Sequence, residues 1–283
     1  MNYEAGAHLE ACVRSVLADD SAGMVELVVV DNASRDGSLD ALAKAFPDVQ
    51  VVHSPGNVGY ASAANLGIAA TRAPVVAVLN PDTRLEPGSA RAMLDRIESQ
   101  PRLAAVGPRI KNNDGSDYPS ARTDPSIPVA VMHGTLGAWW PTNPFTTRYR
   151  QLDADPEQPR AVDWISGAAV WLRRTALDAV GGWDERYFMY FEDVDLCFRL
   201  REAGWEVAYD PAGVVWHVQG ASTDRRPYRM LVEHHRSAWR FGKRRFTGAR
   251  AVLLPFVAVY LAVRTLATLA GRAVRTSERT ASG

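Results

Sequence analysis

Short apolar runs alternate with amphipathic stretches through the first 110 residues of the chain. Such runs, when bounded by Pro, Gly or polar residues, are typical of buried strands. The predicted strands cover residues 26–30, 49–53, 75–79 and 103–107. The predicted helices cover residues 8–18, 38–46, 61–70 and 87–99. Because strands that alternate with helices form right-handed crossovers, we expect an α/β fold with a mostly parallel, Rossmann-like sheet flanked by helices.

The pattern changes after residue 110. Residues 119–160 contain seven prolines, and few regular elements are expected there, so we predict a long functional loop or cover. Beyond it, strands are predicted at residues 168–172, 207–209 and 214–217, and helices at 192–203 and 228–246. Gly204 stands where a glycine often ends a helix.

The C-terminal segment is basic and partly apolar, although the whole chain has a net charge of zero. Residues 225–279 hold 13 Lys and Arg residues against two acids, and residues 251–263 form an apolar run. A bilayer requires ~20 apolar residues, so this shorter run predicts a helix that lies in a membrane interface. The alternative is a terminal helix that packs on the domain or on a partner subunit of a homo-oligomer. The basic residues adjoin an apolar run and match no nucleic-acid motif, so nucleic acid is not an expected partner.

Polar side chains follow two of the predicted strands. Asp31 and Asn32 come after the first, and Asn80-Pro81-Asp82 come after residues 75–79. Open α/β sheets bind ligands at the carboxyl ends of their strands, and a carboxylate there suits a hard divalent cation. His217 ends a later apolar strand and with Asp82 would form a mixed oxygen and nitrogen site for Mn²⁺ or Mg²⁺. The alternatives are an ordinary turn at each Asx residue and a structural histidine.

Three acids, among them Glu192 and Asp193, stand at the start of the helix predicted at residues 192–203. The helix dipole favours acids there by about 0.3–1 kcal/mol each, which explains one of them well. The flanking residues Phe188, Tyr190 and Phe191 are aromatic, and apolar neighbours raise the pKa of a carboxyl group. The pattern therefore favours a general base.

In order and spacing these residues resemble the inverting family-two glycosyltransferases of the GT-A fold, and within that family the bacterial cell-wall rhamnosyltransferases. The similarity covers about residues 2–220. Its pieces are residues 28–38, 57–61 with Asn65 and Gly67, 79–82, 181–185, 192–195 and His217.

The resemblance implies roles for individual residues. Asp193 would be the catalytic base, with Glu192 beside it, and Asp82 with His217 would bind Mg²⁺ or Mn²⁺. Asn80 departs from the first acid of the family's Asp-x-Asp motif, which removes one charge from the metal site. The donor-binding residues would be Asp31, Asn32, Asn57, Asn65, Asn80 and Asp82. The acceptor-binding residues would be Trp139, Trp140, Trp183 and Asp184.

The resemblance also implies a domain plan and partners. Residues 1–224 would form the catalytic domain, with a nucleotide-sugar half at 1–110 and an acceptor half at 111–224. Residues 225–283 would form a membrane-associated helical tail. The implied donor is a nucleotide sugar such as dTDP-L-rhamnose, and the implied acceptor is a polyprenyl-diphosphate-linked GlcNAc at the cytoplasmic face of the bacterial plasma membrane, where the protein would be peripheral. Alternatives are UDP-galactofuranose or another donor, and a non-catalytic membrane-associated protein that binds a sugar or nucleotide.

The first strand of the family's sheet is missing from this sequence. In the family a Val/Ile-rich strand precedes a motif like Asn2-Tyr3-Glu4, and here that motif directly follows Met1. We expect residues ahead of Met1 to supply this strand. Without it, the backbone of the neighbouring strands would lack pairing partners.

Overall fold

The computed structural model describes residues 1–19, 23, 25–124, 126–137, 139–218 and 227–281, except for the side chains of residues 227, 267 and 269–281. The helices are α1 (Ala7–Asp19), α2 (Ser38–Ala45), α3 (Tyr60–Ala69), α4 (Ser89–Ser99), α5 (Ile127–Leu136), α6 (Pro144–Arg150), α7 (Arg174–Val180), α8 (Glu192–Glu202), α9 (Pro227–Arg245) and α10 (Leu254–Ala281). A 3₁₀ helix, Gly248–Leu253, precedes α10.

The strands are β1 (Val28–Asp31), β2 (Gln50–His53), β3 (Val75–Leu79), β4 (Thr83–Leu85), β5 (Leu103–Lys111), β6 (Asp117–Tyr118), β7 (Ala121–Arg122), β8 (Arg160–Ala161), β9 (Trp164–Ile165), β10 (Ala169–Arg173) and β11 (Glu206–His217). The larger sheet has the order β3-β10-β5-β11-β4, with β6 on β5 and β8 on β11. The α/β class is confirmed. The strand directions are more mixed than expected, because β10 enters between β3 and β5 and runs antiparallel to both.

The core forms where apolar faces of helices cover this sheet. Met93 and Ile97 of α4 are fully buried against Leu103 and Val106 of β5. On the opposite face, Leu196 and Leu200 of α8 pack with Leu172 of β10. Burial on both faces explains why β5 and β10 read as continuous apolar runs in the sequence.

The beginning of the chain lies between β1 and β3. The Asn2 N–H donates to the carbonyl of Val30, and the Asn32 N–H donates to the carbonyl of Asn2. The amino group of Met1 donates to the carbonyl of Leu79, 3.0 Å away. Below these contacts a groove of about 430 Å³ runs between β1 and β3, lined mainly by apolar side chains.

The interpretation of residues 119–160 as a loop was wrong in part. The segment contains α5 and α6, and the prolines Pro128 and Pro144 stand in the first turns of these helices. Proline is tolerated there because its missing N–H would have no partner within the helix. Asn143 caps α6, since its side chain accepts from the N–H groups of Phe145 and Thr146.

Helices α9 and α10 pack on the rest of the molecule. Phe241 of α9 is buried against Phe191 and Phe198, and Arg244 forms ion pairs with Asp184 and Asp195. The boundary predicted at residues 224 and 225 lies outside the described residues. The stretch Gly248–Leu266 is long and apolar enough to cross a membrane, by length and composition alone.

Candidate active site

A cavity of about 410 Å³ opens at the carboxyl ends of β1 and β3, a volume in the usual range for small-molecule sites. The structure brings seven of the predicted site residues to its wall, from five separate parts of the sequence. They are Asn32, Asn57, Asn80, Asp82, Glu192, Asp193 and His217.

The Asn32 side chain organises the turn at one side of the cavity, after β1. Its oxygen accepts from the Val58 N–H at 2.9 Å and from the Ser54 hydroxyl at 3.0 Å. Its amide group donates to the Asn57 side chain and to the carbonyl of Gly59. Asn32 is thus committed to the protein, whereas Asn57 is exposed and available to a ligand.

Asp31 lies just behind this wall. Its carboxylate accepts from the Asn2 side chain at 3.0 Å and from the Ser34 N–H at 3.2 Å. Asp31 is buried and does not line the cavity, although Asn2 does. Its assignment to the donor stays a prediction.

Asp82 and His217 meet at the base of the cavity. His217 Nε2 lies 3.3 Å from Asp82 Oδ1 and 3.4 Å from the Asn80 amide nitrogen. The other ring nitrogen, Nδ1, is buried and lacks a hydrogen-bond partner among the described residues. This carboxylate and imidazole pair suits Mn²⁺ or Mg²⁺. The remaining metal ligands would be oxygen atoms of a bound molecule. Within the described part of the chain no group of three or more His, Cys, Asp or Glu residues is placed to hold a metal.

Glu192 and Asp193 are adjacent carboxyl groups in different environments. Asp193 Oδ2 accepts from the Gly167 N–H at 3.1 Å, and Oδ1 accepts from the Val194 N–H at 2.8 Å. Burial raises the pKa of Asp193, and these bonds and the charge of Arg122 oppose that rise. Burial and the charge of Asp193 raise the pKa of Glu192 well above its ordinary value, and Glu192 Oε2 has no partner among the described groups. These environments favour the proton on Glu192 and the negative charge on Asp193, which makes Asp193 the better base.

The backbone around this pair is strained. Tyr190 and Phe191 have φ values of 68° and 65°, in the left-handed region that side chains disfavour. The loop is held by Gly59, where a Cβ atom would lie 2.4 Å from the Phe188 carbonyl oxygen. The next residue, Tyr60, donates its N–H to the same carbonyl. This contact joins the turn of Asn57 and Gly59 to the loop that carries the carboxyl pair.

Three predicted site residues lie elsewhere. Asn65 donates to the carbonyl of Trp183 and accepts from its N–H, so it connects α3 to the segment before α8. The Trp183 side chain is only 2% exposed and packs edge-on against Tyr60, which leaves no ring face for a sugar. Asp184 is paired with Arg186 and Arg244. These residues shape the site and do not line its cavity, because tertiary packing covers them.

Trp139 and Trp140 also lie outside the cavity wall. They follow α5, and their exposed fractions are 92% and 53%. Their exposure leaves the rings free to stack, but the structure does not bring them to the cavity.

Several cavity residues were missed by the sequence analysis. Arg122, Tyr149 and His234 come from β7, α6 and α9, and Tyr60 donates its hydroxyl to the carbonyl of Gly167 beside Asp193. Tyr60 lies in the family segment 57–61, but the sequences around Arg122, Tyr149 and His234 carry no chemical motif. The sequence signal that could have identified Arg122 is its place four residues after Tyr118 and ahead of the aromatic residues at 139–149.

Comparisons with known proteins agree with this geometry. The family model described as glycosyl transferase family 2 matches residues 2–180. The N-acetylglucosaminyl-diphospho-decaprenol L-rhamnosyltransferase of Mycobacterium tuberculosis is 42% identical over 260 residues, which cover 88% of this chain and 84% of that protein. The pre-mycofactocin glycosyltransferase of the same organism is 31% identical over 69% of this chain and 37% of its own length.

A solved structure supports the fold. The mannosyltransferase PcManGT from Pyrobaculum calidifontis, in complex with GDP-Man and Mn²⁺, superposes with a TM-score of 0.59 at 18% identity, over 96% of this chain and 77% of that one. The resemblance seen in the sequence is confirmed, and the non-catalytic alternative is set aside. The chain belongs to glycosyl transferase family 2 and is a glycosyltransferase with the GT-A fold.

Proposed function

We propose that this protein transfers L-rhamnose from dTDP-L-rhamnose to a polyprenyl-diphosphate-linked GlcNAc, with inversion at the anomeric carbon, in cell-wall polysaccharide synthesis. The observation that carries the proposal is one cavity that holds a carboxylate base, Asp193, and a carboxylate and imidazole pair, Asp82 and His217. The name of the relative that is 42% identical supports the donor sugar and the acceptor.

The reaction requires the proton of the acceptor hydroxyl to leave as its oxygen attacks the anomeric carbon. Asp193 takes this proton, because two backbone N–H groups and the charge of Arg122 favour its ionised form. The bond from the anomeric carbon to the diphosphate oxygen breaks as the new glycosidic bond forms on the opposite face. One base on that face therefore gives inversion, and no second carboxylic acid is needed to protonate the leaving group, unlike glycoside hydrolysis.

Asp82 and His217 are the residues that would hold a divalent cation. Bound there, Mg²⁺ or Mn²⁺ would act as a Lewis acid that stabilises the charge of the departing nucleotide diphosphate. The Mn²⁺ in the structural relative supports this proposal. Asn80, at 3.4 Å from His217, contributes a neutral group where the family motif has an acid.

The C-terminal helices support a lipid-linked acceptor and a peripheral location at the cytoplasmic membrane face. Phe256, Val259, Val263 and Leu266 are each at least 60% exposed on one side of α10. The exposed basic residues Lys243, at the end of α9, and Arg250 precede it. An apolar face beside basic residues suits a membrane interface. Alkaline carbonate washing would release a peripheral protein from membranes, whereas a helix that spans the bilayer would keep the protein there.

A donor screen tests the proposed function. The protein is offered dTDP-L-rhamnose, UDP-galactofuranose or another nucleotide sugar, each with Mg²⁺ or Mn²⁺ and a synthetic GlcNAc-diphospho-lipid, and the lipid product is analysed by mass spectrometry. We expect addition of one rhamnose from dTDP-L-rhamnose alone. Transfer of galactofuranose or of another sugar instead would overturn the donor assignment, and the Asp193→Asn variant is the inactive control.

A further inference from the structure

Three arginines that form no ion pair with the described residues lie around the contacting rings of His133 and Tyr149. Arg122 lies on β7, Arg150 ends α6, and Arg264 lies on α10. In the described part of the chain no carboxylate oxygen lies within 4.0 Å of any of their guanidinium nitrogens. The nearby acids Asp124 and Asp163 do not neutralise them, because Asp124 pairs with Arg201 and Arg245 and Asp163 pairs with Arg201.

Arg122 is the member of the group that reaches the cavity wall, where the charge of Asp193 also acts on it. Its guanidinium carbon lies 4.8 Å from the ring centre of Trp164 and 5.6 Å from those of Tyr118 and Tyr149. Its Nε donates to the carbonyl of Pro119 at 2.8 Å, and one terminal nitrogen donates to the Tyr118 hydroxyl at 3.1 Å. The aromatic rings and a further hydrogen bond to Tyr149 hold the planar group in place at the cavity wall, where it can bind an anion.

Arg150 is the least satisfied of the three. Its Nε is buried and has no hydrogen-bond partner among the described residues. Burial, together with the positive charge of Arg122, lowers the pKa of Arg150. A half-buried guanidinium next to another cation is costly unless an anion joins them.

Arg264 closes the group on the side of the C-terminal helix. It lies against Gly134 of α5, where an added Cβ atom would be 2.5 Å from its Nη1. His133 precedes Gly134; its ring centre lies 4.8 Å from that of Tyr149, and its Nδ1 contacts the Thr146 hydroxyl at 2.9 Å. Burial and the charges of Arg150, Arg122 and Arg264 lower the pKa of His133 to about 4, so this ring is neutral at pH 7.

We propose that Arg122, Arg150 and Arg264 bind the diphosphate group of the lipid-linked acceptor. This inference rests on the proposed function. A diphosphate carries several negative charges, and guanidinium groups bind phosphate oxygens through paired, charge-assisted hydrogen bonds. From this position the sugar extends past Arg122 towards Asp193, and the lipid chain leaves along the exposed apolar face of α10 that carries Val259 and Val263.

The test compares two acceptors that differ only in charge. One is a synthetic GlcNAc-diphospho-lipid with a short polyprenyl chain, and the other is an alkyl glycoside of GlcNAc without phosphate. The variants are Arg150→Gln and Arg264→Gln, and Arg148→Gln is the matched control because Arg148 is exposed on the same helix α6. We expect each of the first two variants to raise the acceptor KM about tenfold for the diphosphate lipid only. The KM for the nucleotide sugar and the kinetics with the neutral glycoside should stay within about threefold.

Two further measurements separate this inference from the proposed function. Arg150→Gln removes a half-buried charge that forms no ion pair with the described residues. Its thermal midpoint without acceptor should therefore equal or exceed that of the wild type, which excludes a folding defect. Calorimetric binding of the diphosphate lipid needs no turnover. If the wild type binds this lipid but transfers no rhamnose, and Arg150→Gln abolishes binding, the diphosphate site stands and the proposed function fails.

Equal acceptor KM values, or equal lipid binding, in the wild type and both variants would overturn the inference and leave the function intact.

The phosphate groups of membrane lipids have the same chemistry as the acceptor diphosphate and are the other ligand to test. Sedimentation with phosphatidylglycerol vesicles tests it. Variants that lose vesicle binding but keep the wild-type acceptor KM would show that the arginines bind headgroups, and this outcome would also overturn the inference.

Discussion

Replacing Asp193 by Asn and Glu192 by Gln in parallel tests which of the two adjacent carboxyl groups acts as the base. Both replacements preserve size and remove a carboxyl group. Asp193 accepts two backbone N–H groups and stays ionised, whereas Glu192 is buried without a partner and stays protonated. Glutamine therefore resembles the existing state of Glu192, while asparagine removes the proton acceptor at 193.

The expected effects differ by orders of magnitude. A general base contributes about 10²–10⁴-fold to the rate, so Asp193→Asn should lose about 3–5 kcal/mol of transition-state stabilisation at 1.36 kcal/mol per decade. Its new amide group also faces a backbone N–H where an oxygen was, which should cost about 1–3 kcal/mol of folding stability. Glu192→Gln should keep kcat within about threefold, because a neutral group replaces a neutral group.

The assay is transfer at saturating donor and acceptor, with nucleotide-sugar binding measured separately by calorimetry. Donor binding should be nearly unchanged in both variants, because the base acts on the acceptor hydroxyl. In the wild type, kcat/KM should rise with pH as Asp193 loses its proton, over a range above the ordinary Asp pKa. The reasoning is refuted if Glu192→Gln is as inactive as Asp193→Asn, or if Asp193→Asn loses its donor binding.

The same pair makes a prediction about stability. The pKa of Glu192 is raised in the folded state, so between the unfolded and folded pKa values the folded protein binds one more proton than the unfolded chain. The contribution of Glu192 to the free energy of unfolding is fully present below its unfolded-state pKa. It falls by up to about 1.4 kcal/mol per pH unit as the pH rises from the unfolded to the folded pKa. Glu192→Gln should therefore gain stability over the wild type as the pH is raised from 4.5 towards 7, as measured by urea unfolding. If the difference in unfolding free energy between Glu192→Gln and the wild type stays constant over this pH range, the raised pKa of Glu192 is wrong.

Further variants probe the metal pair, the strained loop and the apolar helix. His217→Ala should raise the Mn²⁺ concentration for half-maximal transfer about tenfold, and an unchanged titration would remove His217 from the site. Gly59→Ala should lose about 2 kcal/mol or more in urea unfolding because its Cβ meets backbone atoms, whereas Gly56→Ala, with open space around it, should be nearly neutral. Phe256→Ser with Val259→Ser should reduce sedimentation with anionic vesicles and leave folding intact, since both side chains are exposed; undiminished sedimentation would argue against a membrane face on α10.

Local pattern predicted much of the fold. The apolar runs at β1, β3 and β10 and the amphipathic helices α1, α4 and α8 are visible because a strand or helix buries residues at a fixed period. The segment with seven prolines was misread, since proline breaks a helix interior but is favoured in a first turn, and sequence alone did not show which position each proline occupies.

The candidate site likewise has residues that local sequence predicted and residues whose position only tertiary packing decided. Asp82, Asp193 and His217 were predicted because each ends a strand or begins a helix in a recognisable order, so their chemistry is encoded locally. Trp183 carries an equally strong sequence signal but is buried, since Asn65 and Tyr60 cover it from a distant helix.

What the sequence by itself determined is therefore the α/β class, the family and the residues that lie at the ends of regular elements. Only the tertiary structure decided which carboxyl group keeps its proton and which arginines lack counter-ions. Arg122, Arg150 and Arg264 come from three separate elements, whereas Arg244 forms ion pairs with Asp184 and Asp195. The physical reason is that burial and electrostatic interactions depend on distances across the folded chain, which local periodicity does not encode.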